Sequence, residues 1–86
     1  MTHAATEVVN LARMRWHCRR GMRELDVLLT RYFEQVYPQA SVEQQQAFGA
    51  LLDLQDPTIL AYLTGKQTPE RADIADVIEQ LTHIGA

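Results

Sequence analysis

The strongest constraint on this chain is its punctuation. Gly21, Pro38, Gly65 and the pairs Asp56-Pro57 and Thr68-Pro69 cut it into short segments. Within each segment apolar residues recur three and four apart and never alternate over a strand's length, so each reads as an amphipathic helix. The first is expected to start at Thr6, whose hydroxyl can cap, and to run toward Arg19 with Val8, Leu11, Ala12 and Trp16 facing inward. Gly21 interrupts it. The second runs from Met22 to Val36, burying Leu25, Leu28, Leu29, Tyr32, Phe33 and Val36, with Glu24 and Asp26 at its positive end. Ser41-Val42-Glu43-Gln44 has capping-box spacing and opens a third helix to about Leu54, burying Ala47, Phe48, Leu51 and Leu52. Asp56 is expected to cap a short fourth helix carrying Ile59, Leu60 and Leu63, with Pro57 at its first position and Gly65 stopping it. Thr68-Pro69-Glu70 opens the fifth, which runs to about His83 on a stripe of Ile74, Val77, Ile78 and Leu81.

The expected fold is therefore all-α, a small single-domain bundle of about five helices. Helices two and three should form an antiparallel pair, with the shorter ones packed across it. Residues 1–5 are expected to be a flexible N-terminus and residues 6–86 the domain. With 86 residues there is enough chain for one core and not for two. Those apolar stripes can satisfy one another, so a monomer is the default.

Several function classes drop away. No apolar run approaches the roughly 20 residues of a membrane span, and no basic stretch feeds an apolar one at the N-terminus. One cysteine cannot form an internal disulfide, which suits a reducing compartment, so the cytoplasm is the expected location. His17 and Cys18 are adjacent and point apart on a helix, while His3 and His83 lie near opposite ends, so no metal site is expected. Nucleophile elbow, phosphate-binding loop and zinc-protease motif are all missing, and Asp56 of the Asp53/Asp56 pair reads better as a cap. No catalytic residue is assigned, and no cofactor is expected to be bound by the chain itself.

What remains is charge. The net charge of −3 conceals a basic segment at residues 13–31, where six arginines face only Glu24 and Asp26, followed by an acidic remainder. Such a molecule can be oriented by its own field toward an acidic partner. Arg19, Arg20, Gly21, Arg23 and Glu24 crowd into one helix break, and these are the expected partner-binding residues. A glycine corner lets a partner backbone come close, and arginines offer rigid forks to carboxylates. Arg20 and Glu24, four apart, are expected to face each other. Trp16, Leu25 and Asp26 are expected to support the corner from behind, Trp16 as a core anchor. The plainer reading makes the arginines a solvated face and Gly21 only a turn.

The run Trp16-His17-Cys18-Arg19-Arg20-Gly21-Met22-Arg23-Glu24-Leu25-Asp26 closely resembles the signature of the SdhE family, FAD assembly factors of succinate dehydrogenase and fumarate reductase. The family motif Arg-Gly-x-x-Glu is matched by Arg20, Gly21 and Glu24, and Phe33-Glu34, Leu51-Leu52, Asp56-Pro57 and Leu60 to Leu63 fit as well. The resemblance covers about residues 11–81, with Tyr62 where many members carry tryptophan. It implies a five-helix fold and a non-catalytic role: binding the flavoprotein subunit and promoting attachment of FAD to a histidine of that client. Arg20, Gly21 and Glu24 would then contact the client near its flavin. Two alternatives stay open, an antitoxin-like interaction module with another partner and a small nucleic-acid-binding regulator. Against the second, a recognition helix would carry Glu24 and Asp26 where phosphate-contacting groups should stand.

Overall fold

A computed structural model describes residues 11–85. It contains α1 (described over residues 11–17), α2 (Arg23–Gln35), a 3-10 turn (Tyr37–Gln39), α3 (Val42–Leu52), α4 (Asp56–Leu63) and α5 (Ala72–Gly85). There is no strand among the described residues. The chain is all-α, as its punctuation requires. The expected cap at Thr6 and the inward position of Val8 lie outside the described residues.

Local chemistry explains most boundaries. Ser41 caps α3 by accepting the Gln44 amide at 3.1 Å, although the glutamine side chain makes no return bond. Gly21 and Gly65 take positive φ angles of 86° and 79°, conformations cheap only for glycine, and so end the helices before them. The fifth helix begins at Ala72, later than Thr68-Pro69 suggested. The intervening residues fold back on α4, where Gln67 donates its amide to the Ala61 carbonyl, and Asp73 gathers the Ile74 amide and the Arg71 guanidinium at the actual start.

The core follows the apolar stripes of α2, α3 and α5. Leu25, Leu29, Tyr32 and Phe33 meet Ala47, Phe48, Leu51 and Leu52, and Ile74, Val77, Ile78 and Leu81 close the third side. Of the α4 stripe only Ile59 is fully buried; Leu60 and Leu63 are half-buried. The helix closest to its neighbours is α5, which lies against α2, α3 and α4. Helices α2 and α3 also meet, through their side chains. Tyr32 and Phe48 stack at 4.6 Å between α2 and α3, and Phe33 and Tyr37 add two more rings.

Helix α1 departs most from its expected orientation. Trp16 is 69% exposed and Leu11 41%, whereas Cys18 is fully buried and Met14 packs against the core beside Gly49. The inward face runs through Met14 and Cys18, four apart, rather than through Ala12 and Trp16. The periodicity was ambiguous because both series repeat at helical spacing. The smaller thiol fits under α2 within 3.7 Å of the Leu29 carbonyl, and the indole is left outside.

Candidate functional site: the corner between α1 and α2

Residues 18–22 reverse the chain between α1 and α2. The Cys18 amide reaches both the Met14 and Arg15 carbonyls, and Arg19 donates to Trp16, so the last turn of α1 tightens before Gly21 turns it away. Two amides are then stranded ahead of α2. Asp26 collects both: its carboxylate accepts the Arg20 amide at 2.6 Å and the Gly21 amide at 3.3 Å. An acid in the first turn of a helix reaching back to preceding amides combines capping with a favourable position on the helix dipole. Asp26 thus ties the corner to α2, and Leu25, 1% exposed, pins α2 to the core beneath it.

Arg20 turns inward, away from Glu24. Its Nε donates to Asp56 Oδ1 at 2.7 Å, and its Nη1 donates to the carbonyls of His17 at 3.0 Å and Leu52 at 2.8 Å. Its Nη2 donates to the Leu54 carbonyl. The acceptors have a common origin. His17 and Leu52 close α1 and α3, Leu54 follows directly, and the last carbonyls of a helix have no partner within it and carry its negative end. Asp56 stands at the opposite, positive end of α4. One planar fork therefore joins three helix termini, a task for which a lysine's single point charge is unsuited.

This corrects two expectations. The Arg20–Glu24 contact does not form, because Gly21 breaks the helical geometry on which a four-residue spacing depends. Asp56 does not cap α4; Gln55 occupies the cap position, with no side-chain bond, and Asp56 is the first helical residue, with its carboxylate given to Arg20. Sequence reasoning noticed Asp56 and missed its role, since a partner 36 positions away leaves no spacing signal.

The outer surface of the corner is formed by Arg19, Gly21, Met22, Arg23 and Glu24, all exposed. Arg19, Arg23 and Glu24 enter no ion pair among the described residues, so their charges are available to a partner. A Cβ built on Gly21 would find nothing within 4 Å, so the requirement for glycine within this chain is its backbone angle alone. Trp16 adds an exposed indole with the Arg19 guanidinium 6.0 Å from its ring. Behind the corner, burial pushes the Cys18 thiol up to about 11 even though Arg15 and Arg20 pull the other way. A protonated thiol with no exposure is a packing group, not a nucleophile.

The corner does not fit a resident flavin. Arg20 has spent its donors internally, the surrounding grooves are open, and neither a glycine-rich turn nor an enclosed cavity is available among the described residues. No group of three or more potential metal ligands lies together there either, and no described helix is long and apolar enough to cross a membrane.

A charged, solvent-facing corner bonded from within on a small helical bundle is a surface suited to docking. Comparison of the sequence with known proteins places that surface in a family. Residues 12–84 match the family described as Sdh5, flavinator of succinate dehydrogenase, and the chain belongs to that family. Its relatives include proteins named FAD assembly factor SdhE. The one from Coxiella burnetii is 35% identical over 86% of this chain and 90% of its own length. That from Shewanella oneidensis is 39% identical over 87% and 92%, and that from Methylococcus capsulatus 45% identical over 80% and 83%.

Proposed function

We propose that this chain binds the flavoprotein subunit of succinate dehydrogenase, and also that of fumarate reductase where one is present, and promotes covalent attachment of FAD to a histidine of that client. It acts in the cytoplasm as a monomer, with residues 6–86 as the assembly domain. The flavin belongs to the client and supplies the electrophilic carbon that the client histidine attacks. This chain contributes geometry. Arg19, Gly21, Arg23 and Glu24 meet the client, while Arg20 and Asp26 hold the corner in shape from within.

One observation carries this reading: in a member of this family, a corner with free charges outside is bonded rigidly from inside. Rigidity matters because a surface that is already ordered loses little entropy on docking. Holding two reacting groups in line can lower a barrier by several kcal/mol without any helper group reacting. Gly21 exposes bare backbone at the apex, so a partner can approach where a side chain would separate the two surfaces.

Co-expression of the flavoprotein subunit with and without this chain tests the proposal, with covalent flavin read by fluorescence in a denaturing gel. Fluorescence that depends on the chain at equal client expression supports it. Equal fluorescence in both samples refutes it for that client.

A further inference from the structure

The free cations of the corner continue onto the outer face of α2. There a shallow groove of about 550 Å³ is lined by Arg19, Asp26, Val27, Thr30, Arg31 and Glu34 among others. Both of its carboxylates are already compensated: Asp26 by two backbone amides and Glu34 by Arg15 at 2.9 Å. Its two cations are not. Neither Arg19 nor Arg31 has a carboxylate partner among the described residues, and the one bond of Arg31 is a long one of 3.4 Å to the Ile84 carbonyl. Arg19 also lies over Trp16, which makes the indole continuous with the groove. Apolar surface is present at both ends of that continuity, with Trp16 69% and Val27 46% exposed.

We propose that this groove docks an acidic, extended segment of the client protein, with carboxylates on Arg19 and Arg31 and an apolar side chain against Trp16 and Val27. This rests on the client reading above and adds to it a second contact, beyond the corner, with a stated chemistry. Charge complementarity selects the occupant: a groove whose acids are neutralised internally and whose cations are left over favours an acidic one. Val27 and Arg31 are one turn apart, about 6 Å along the axis, which matches two residues of extended chain with side chains on the same side. Trp16 supplies the rigid aromatic area on which binding energy concentrates.

Titration calorimetry with the purified flavoprotein subunit tests this, using the unsubstituted chain, Arg31→Glu, Trp16→Ala and Glu24→Ala. Arg31→Glu is expected to weaken binding about five- to tenfold, with the difference shrinking as salt is raised. Trp16→Ala is expected to weaken it roughly thirtyfold. Both side chains are exposed, so thermal midpoints should stay near that of the parent. If Arg31→Glu and Trp16→Ala bind like the parent while Glu24→Ala does not, the groove is unused and the corner reading stands. If the parent itself does not bind the subunit, the client reading falls, and this inference falls with it.

Discussion

Replacing Arg20 by lysine separates an internal fork from an external one. Arg20 makes four hydrogen bonds to four acceptors on three sides: Asp56, His17, Leu52 and Leu54. A lysine keeps the charge and can satisfy one or two of those groups, but it cannot span them all. Two lost bonds from a cation, at about 1–1.5 kcal/mol each, give a destabilisation of about 2–3 kcal/mol. For a domain of this size that is roughly 10–20 °C in thermal midpoint, readable by circular dichroism at 222 nm. Asp56→Asn keeps an acceptor and loses the charge, so alone it should cost less. Combined with Arg20→Lys it should show a coupling of about 1 kcal/mol or more, as groups sharing one network do. An Arg20→Lys chain that melts within about 3 °C of the parent would refute the clamp and return Arg20 to the surface.

Other expectations are shorter to state. Cys18 keeps its proton to about pH 11 in the folded chain, whereas an unfolded thiol loses it nearer 9. Its contribution is complete below pH 9 and is lost as pH rises through 11, up to about 2–3 kcal/mol. Denaturant midpoints should fall more steeply over that window for the parent than for Cys18→Ala, and equal slopes would contradict the burial argument. Tyr32 is fully buried, and its hydroxyl has no partner among the described residues. Tyr32→Phe should therefore melt at the parent's temperature or a few degrees above it; a large drop would reveal a hydrogen bond. Gly21→Asn tolerates a positive φ and should cost well under 1 kcal/mol in stability, against about 1–2 kcal/mol for Gly21→Ala. If glycine serves docking as well as the turn, client binding should fall for both substitutions alike.

The helical class and most of the core were legible because period and punctuation are local. Every expected core residue of α3 and α5 is buried, and Ser41 caps as its spacing implied. Two failures at the site are choices among tertiary contacts: Trp16 against Cys18 as the inward residue of α1, where helical periodicity offers both, and Glu24 against Asp56 as the partner of Arg20, where a partner 36 positions away leaves no spacing signal. The late start of α5 and the uncapped start of α4 are local, set by bonds that Asp73 and Asp56 make instead. The corner at residues 19–24 was visible as a concentration of charge around a glycine. Which of its arginines points inward was not, because that depends on where two other helices end.

The most direct test of the central claim uses Glu24, the motif residue whose charge the fold leaves free. Covalent flavin on the client flavoprotein subunit should be measured after co-expression with the parent chain and with Glu24→Gln, whose thermal midpoint is recorded alongside. The account predicts an unchanged midpoint and a several-fold loss of flavin fluorescence. Full fluorescence with Glu24→Gln would contradict it, since the outward face of the corner would then not be the working surface.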